Sequence, residues 1–246
     1  MKTQDTQYVT QVRDDYDLLE PGQLDTWNPV HSEYELAYRL SIYHAATEAL
    51  LLSQIPLSQL KVLDIGCGNG RSSRMYIELG LHPEQIIGVD VRTGGTINLA
   101  RKLNPAIQFE AYDGDPRVYS GRGINWVSLA GVLSTIKDPE GRRILANQIY
   151  ELLPPGGYLF YFELYQALKM VGGGRIYPLR IFSDFEKVWA RPVRSYKYVP
   201  SLFRNADYRK ARRMSVIQQD LPITILSRIK RTFLPTHEVI LFRKPD

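Results

Sequence analysis

The segment VLDIGCGNG, Val62 to Gly70, runs from apolar residues through a carboxylate, Asp64, into glycines at positions 66, 68 and 70. A second apolar run, IIGVD, ends in another carboxylate, Asp90, twenty residues after Gly70. A glycine loop between a strand and a helix presents backbone N–H groups and little side-chain bulk to a ligand, and an acid ending the following strand is placed to bind ribose hydroxyls. The pattern predicts a nucleotide-type site. Two residues argue against a dinucleotide in it. In GxGxxG the third glycine lets the helix pack closely on the strand, and after Gly66 and Gly68 that position holds Arg71. Asp64, just ahead of the loop, would repel a pyrophosphate and favour a ligand whose nearest group is a cation. An NAD-type oxidoreductase is disfavoured on both counts.

The elements that must position these residues alternate along the chain. Ser32 and Glu35 have capping-box spacing, and Leu36, Leu40, Tyr43, Thr47 and Leu50 recur at helical intervals until Pro56, predicting a long first helix. Strands are expected over residues 61–65, 86–90, 107–113, 124–129 and 158–162, and helices over 71–79 and 96–103. A further helix is expected to start at Asp138 and Pro139, an N-cap and first-turn pair, and to end at the turn PPGG. Beyond it, Gly172 to Gly174 read as a flexible link, Ser183 to Ala190 as a short helix, Ser195 to Val199 as a strand, and the residues from His237 as the last strand. The first thirty residues, polar and marked by Pro21, Gly22, Asn28 and Pro29, read as an arm or lid with turns rather than a regular element. Such alternation demands an α/β, doubly wound, mostly parallel seven-stranded sheet with helices on both faces.

VLDIGCGNG, IIGVD, Asp113 after the third strand, INWVSLAGVLSTIKD and ELLPPGGYLFYFE, in this order and at these intervals, resemble the successive motifs of class I S-adenosylmethionine-dependent methyltransferases from about Lys61 to Glu163. The ending LPTHEVILFRKP, after a basic insertion, is also similar to a bacterial methyltransferase subgroup associated with surface-polysaccharide and other glycan pathways. The resemblance implies a Rossmann-like class I fold with an N-terminal helical arm and a C-terminal helical insertion before the last strand. It implies S-adenosyl-L-methionine as cofactor, whose cationic amino-acid end suits Asp64. By the same resemblance Asp64, Gly66, Gly68 and Gly70 wall the methionine part of the donor, with Cys67 among them as a small packing residue rather than a nucleophile. Asp90 would bind the ribose, with Val91 beside the adenine. Asp113 would accept from the adenine amino group with Tyr112 and Gly114 next to it, and Ala130 and Gly131 would line the pocket after the fourth strand. Arg39 and Trp27 would close over the donor from the N-terminal side. One domain is expected across residues 1–246, made of an N-terminal arm and helix (1–57), a donor-binding core (58–165) and an acceptor-side region (166–246).

A sulfonium is already an activated electrophile, so the protein must chiefly hold the acceptor in line with the methyl group and exclude water. For a hydroxyl acceptor a general base within hydrogen-bond reach helps. Glu163 and Tyr165, just beyond the carboxyl end of the fifth strand, and His31 are the catalytic candidates. His44, in a helix, and His237, at a strand start, read as structural. No HxxxH, facial carboxylate set or acid-rich metal motif stands out, so the expected reaction is metal-independent O-methylation of a small-molecule or glycan hydroxyl. The alternatives are an N-methyltransferase, an RNA methyltransferase and a donor-binding protein without turnover.

The net charge of +5 permits an anionic partner. Much of the basic character gathers between residues 203 and 233, where Arg204, Arg209, Lys210, Arg212, Arg213, Arg228, Lys230 and Arg231 interleave with Leu221, Ile223, Ile225, Leu226, Ile229 and Phe233. This segment reads as a solvated helical face, an acceptor lid, or a surface for an anionic or lipid-linked acceptor with peripheral contact to the inner face of a membrane. No RNA-binding module accompanies it, and nucleic acid ranks last among the partners. No apolar stretch approaches the ~20 residues that span a bilayer, and no basic end followed by an apolar run opens the chain, so a cytoplasmic protein is expected. Cys67 is the single cysteine, which excludes an intrachain disulfide and a thiolate-rich zinc site.

Overall fold

The computed structural model describes residues 7–17, 33–92, 95–164, 176–193 and 237–246. Its centre is built from the apolar runs. β1 (Val62–Ile65), β2 (Ile86–Asp90) and β4 (Trp126–Ala130) are buried along nearly their whole length, as strands of a parallel sheet covered on both faces must be. With β3 (Gln108–Ala111), β5 (Tyr158–Leu164), β6 (Glu186–Val193) and β7 (His237–Arg243) they form one seven-stranded sheet in the order β3-β2-β1-β4-β5-β7-β6. The first five in that order run parallel, and β7 is antiparallel to both β5 and β6. The order reverses at β1, which has β2 on one side and β4 on the other, and such a reversal leaves a crevice at the carboxyl ends of the strands.

Helices cover both faces. α2 (Glu33–Ser53), α3 (Arg71–Glu78) and α4 (Gly95–Leu103) share a core with Trp126, Phe160 and Phe162, while α1 (Gln7–Asp17) and α5 (Pro139–Leu152) share the opposite one with Val127, Leu159 and Tyr161. α5 starts where its cap predicts: the Asp138 carboxylate accepts from the N–H groups of Glu140 and Gly141 at 3.1 Å each, and Pro139 opens the helix. A single helical turn, α6 (Pro178–Ile181), follows β5.

Four elements depart from the sequence expectation. α1 is a regular helix inside the polar first thirty residues; its short apolar stripe of Tyr8, Val9 and Val12 is buried on the sheet, so tertiary packing rather than propensity holds it. In α2 the buried face is Ile42, Ala45, Ala46, Ala49 and Leu50, small residues that let the helix sit close to the sheet, while Leu40 is 60% exposed. Thr47 bonds the Tyr43 carbonyl instead of packing. Residues 183–190, expected to be helical, belong largely to β6. As an edge strand β6 tolerates Pro192, bends at a register shift between Lys187 and Trp189, and carries the charges of Glu186, Lys187 and Arg191. β3 is also shorter than expected and ends at Ala111. The expected strand at 195–199, the link at 172–174, the cap at Ser32 and the basic segment 203–233 lie outside the described residues.

Candidate functional site

The β1–α3 turn is shaped by backbone demands that only glycine meets cheaply. Gly66 and Gly70 have φ of +70° and +82°, and a Cβ on Gly66 would lie 2.6 Å from Val132 Cγ2, so both conformation and space require its bare backbone. The N–H groups of Gly66 and Cys67 donate to the Val89 carbonyl at 2.8 and 3.0 Å, pinning the loop to the end of β2. Gly70 is the N-cap of α3, and a Cβ there would lie 2.6 Å from Phe109 Cζ. Gly70 thus provides close packing two strands away, a service that Arg71 at the third GxGxxG position does not render.

Two carboxylates stand at this turn. Asp64 is fully buried; its Oδ2 accepts from the hydroxyls of Ser72 and Ser73 at 2.7 and 2.6 Å, and its Oδ1 has no hydrogen-bond partner. Burial pushes the Asp64 carboxyl up to about 6, the hydroxyls of Ser73, Ser72 and Ser128 pull the other way, and the Asp90 charge adds to the rise. Asp90 is also buried, and its oxygens accept from Gly68 N–H at 2.9 Å and from the Arg92 N–H, Nε and Nη2 at 2.9, 3.0 and 3.0 Å.

Above them lies a cavity of about 60 Å³. Of the expected donor residues, Gly66, Asp90, Val91, Tyr112 and Gly131 line it together. Asp64 lies beneath the glycine turn at the end of β1. Cys67 is buried with its Sγ toward the Gly68 carbonyl, and burial pushes its thiol up, which suits the packing role and not a nucleophile. Gly68 and Gly70 serve through their backbone. Ala130 ends β4 and packs on the α2 side of the sheet. Asp113 is not brought into the cavity: its side chain is 95% exposed and pairs with Arg13 at 3.4 Å. Gly114 lies under α1, its carbonyl accepting from the Tyr8 hydroxyl at 2.7 Å. Arg39 sits on α2, outside the cavity lining, with a buried Nε that has no partner.

The sequence reading missed the roof of this cavity. Tyr8 and Val12 of α1 line it, and Arg13 clips the helix down, donating to the Val91 carbonyl at 2.6 Å and the Tyr112 carbonyl at 3.4 Å. The spacing of Tyr8, Val9 and Val12 was the available signal. Arg92, two residues beyond Asp90, was missed as well, although a cation so close to a buried acid is its natural partner.

On the β5 side Glu163 is buried, and its carboxylate accepts from Ser134 N–H at 3.0 Å. Ser134 lies between Val132 and Thr135, both of which line the cavity, so Glu163 braces the cavity wall. Across the sheet Glu163 pairs with Glu238 of β7, whose carboxyl is pushed up to about 7 by burial and by the Glu163 charge. Buried Arg142 faces the same region from α5, its Nε donating to the Leu133 and Ile136 carbonyls at 3.2 and 2.7 Å. His237 is buried and stacks on Phe162 with ring centroids 5.0 Å apart, and His44 meets Arg191 at 2.8 Å; neither lines the cavity. Tyr165, His31 and Trp27 lie outside the described residues. Among the described residues no group of three or more histidine, cysteine, aspartate or glutamate side chains gathers as a metal site.

A glycine turn at a topological switch point, with the buried carboxylates Asp64 and Asp90 beside it, fits a nucleoside carrying a cationic end better than a diphosphate. Residues 36–219 match the family described as Methyltransferase domain, and the chain belongs to that family. No curated protein matches it. Among solved structures it is similar to a chain of the complex between the Trm112 methyltransferase activator of Haloferax volcanii and its methyltransferase, at 15% identity and TM-score 0.63 over 98% of this chain and 99% of that one. It is also similar to the N-methyltransferase NodS of Bradyrhizobium japonicum WM9 (18% identity, TM-score 0.52, 81% of this chain and 94% of that one). A third similarity is to the [4+2]-cyclase SpnF (17% identity, TM-score 0.56, 81% and 80%). At these identities the structures speak for the fold. The protein is a class I S-adenosylmethionine-dependent methyltransferase. The residues present fit that cofactor: the glycine turn brings the bare backbone of Gly66 to the cavity beside Asp90, and the partnerless Oδ1 of Asp64 beneath it suits a cation.

Proposed function

We propose that the protein transfers the methyl group of S-adenosylmethionine directly, without a metal, to a hydroxyl of a small molecule or glycan. The observation that supports a hydroxyl acceptor is Glu163, a buried carboxylate at the carboxyl end of β5, tied through Ser134 to the wall of the donor cavity. When bound, the cofactor supplies an electrophilic methyl carbon. The chain's own residues do the rest. Gly66 and Gly131 keep bulk away from the donor, Asp64 and Asp90 present negative charge to it, and Tyr8 and Val12 keep water out. Glu163 braces the cavity wall through Ser134 N–H and brings negative charge to the side on which the acceptor hydroxyl is held in line. His31 and Tyr165 are further candidates for contact with the acceptor.

The same carboxylate would attract a protonated amine, which favours N-methylation as the second reading. The basic residues between 203 and 233 favour an anionic or lipid-linked acceptor, and they predict salt-sensitive flotation with anionic vesicles that is lost when the segment is deleted. No described helix is long and apolar enough to cross a membrane.

Calorimetry with S-adenosylhomocysteine and a mass screen of acceptor mixtures test the main reading. Glu163→Gln should lower turnover ~100-fold, the low end of the range for acid–base catalysis, because it removes the negative charge on the acceptor side, at unchanged S-adenosylhomocysteine affinity. A folded protein that binds neither S-adenosylmethionine nor its product contradicts the donor half; a product methylated on nitrogen contradicts the hydroxyl half.

A further inference from the structure

Glu163 and Glu238 are register partners on antiparallel strands, and Tyr161 lies two residues before Glu163 on the same face of β5. Residues directly opposite on such a pair stand ~5 Å apart at Cβ, and the diagonal neighbours, here Tyr161 and Glu238, are within reach of aromatic and long side chains. Each of the two carries an unanswered polar atom. The Tyr161 hydroxyl, on a side chain 1% exposed, makes no hydrogen bond, and neither does the buried Glu238 Oε1. A buried phenol O–H and a buried carboxylate oxygen left without partners are costly, and native structures seldom leave such atoms unless something else completes them. Burial first, and then the charges of Glu163 and Glu238, push the Tyr161 phenol up, so it stays a hydrogen-bond donor at neutral pH.

The arrangement is next to the donor site. Passing along the sheet, Gly131 follows β4, Glu163 ends β5 and Glu238 starts β7, and adjacent strands are ~4.8 Å apart. Glu163 is already committed to Ser134 N–H, which leaves Glu238 as the carboxylate with an open lobe.

We infer that Glu238 Oε1 and the Tyr161 hydroxyl form the acceptor subsite, that it takes an alcohol, and that Glu238 is the group that receives the acceptor's proton. The inference rests on the methyl-transfer reading and deepens it. An alcohol O–H donates to Glu238 Oε1 while its oxygen accepts from Tyr161, so one ligand group satisfies both orphaned atoms. In the transfer the acceptor oxygen gains the methyl carbon, the electron pair of the broken S–C bond stays on sulfur, and the acceptor proton passes to Glu238 Oε1 and from there to solvent. The Glu163 charge beside Glu238 makes that carboxylate a better base. The groups facing Glu238 are Glu163 and Tyr161 from β5, with Arg142 of α5 behind them, and the uncharged Pro192 from β6.

The test uses the full chain, labelled with ¹³Cδ-glutamate and loaded with S-adenosylhomocysteine, with glycerol, phenol and methyl α-glucoside as alcohol probes and glucosamine as the amine counterpart. One glutamate should titrate near neutrality, vanish in Glu238→Gln and move toward the ordinary carboxylate range in Glu163→Gln. At least one alcohol should shift that resonance, with a Kd about tenfold weaker in Tyr161→Phe, as expected for the loss of one hydrogen bond. S-adenosylhomocysteine binding should be the same in wild type and Tyr161→Phe. Firm S-adenosylhomocysteine binding with no glutamate titrating near neutrality, with no alcohol shifting it, or with the amine alone shifting it overturns the subsite and leaves the methyl-transfer reading standing. Failure of the folded wild type to bind S-adenosylhomocysteine overturns both.

Discussion

The Arg92 guanidinium grips the Asp90 carboxylate at 3.0 Å through both Nε and Nη2, in a pair whose side chains are 14% and 4% exposed. With the Gly68 and Arg92 backbone N–H groups added, the four lone-pair directions of Asp90 are taken. A ribose diol bound to Asp90 must therefore displace part of Arg92. Arg92→Met removes the competitor and leaves the cleft more negative, and both changes favour a cationic donor. S-adenosylmethionine should bind about tenfold tighter, ~1.4 kcal/mol, while thermal unfolding shows a loss on the order of 3 kcal/mol from stranding a buried acid. Weaker binding by calorimetry would mean that Arg92 itself contacts the donor.

Asp64 sets a pH dependence with a definite sign. Its carboxyl is raised from 3.8 to about 6, so the folded state holds a proton that the unfolded state has already released. Stability contributed by the protonated form is full below the unfolded value and is lost as pH rises through about 6, on the order of 3 kcal/mol in all. Asp64→Asn should therefore raise the melting temperature at pH 7 while weakening S-adenosylmethionine binding. In the wild type, donor affinity should rise between pH 5 and pH 7 as Asp64 ionises; calorimetry that gives a flat profile, or the same profile in Asp64→Asn, contradicts the assignment.

Much of this candidate site is legible in the sequence, and the reason is local. Val62 to Ile65 and Ile86 to Asp90 read as central parallel strands because such strands are apolar on both faces, and the Gly66 to Gly70 turn is read from residues that serve through their backbone. What failed depended on contacts between distant parts of the chain. Tyr8 joins Gly114, Arg13 joins Val91, and Glu163 joins Glu238, and no periodicity encodes any of these. Asp113 shows the same limit from the other side. It follows a strand as expected, yet the chain ends β3 at Ala111 and turns its side chain outward, leaving Tyr112 to line the cavity. In α2 the alanines, weak as hydrophobic signals, form the buried face because they allow close approach.

The glycine turn and the α5 cap separate binding from mere stability. Gly66→Ala forces a Cβ to within 2.6 Å of Val132 Cγ2 at a φ of +70°. A strained φ of this kind costs ~1–3 kcal/mol, and the displaced loop should abolish measurable S-adenosylhomocysteine binding. Asp138→Ala removes the cap of α5 for about 1 kcal/mol and should leave that affinity unchanged. Paired melting curves and titrations read both; equal donor affinity in Gly66→Ala and Asp138→Ala would remove Gly66 from the cradle.

α1 closes the donor cavity, and its latch is testable. The cavity of about 60 Å³ beneath α1 is far smaller than the hundreds of Å³ that a ligand of nucleoside size needs. Donor entry is therefore expected to shift α1, whose hold includes Arg13 on the Val91 and Tyr112 carbonyls, Tyr8 on Gly114, and Gln11, which donates to the Thr135 carbonyl and accepts from Lys137 N–H. Arg13→Ala removes charge-assisted bonds from a position one-third exposed, where each contributes at most ~1.5 kcal/mol, and should raise the S-adenosylhomocysteine association rate about tenfold. Gly114→Ala should act in the same direction, because its Cβ would strike the Val9 side chain and push the helix away. Stopped-flow association and hydrogen exchange of the amides of residues 8–14 read the two steps separately. A helix that only stabilises the fold would lower the melting temperature and speed exchange in both variants without changing the association rate, and that result would rule out the latch.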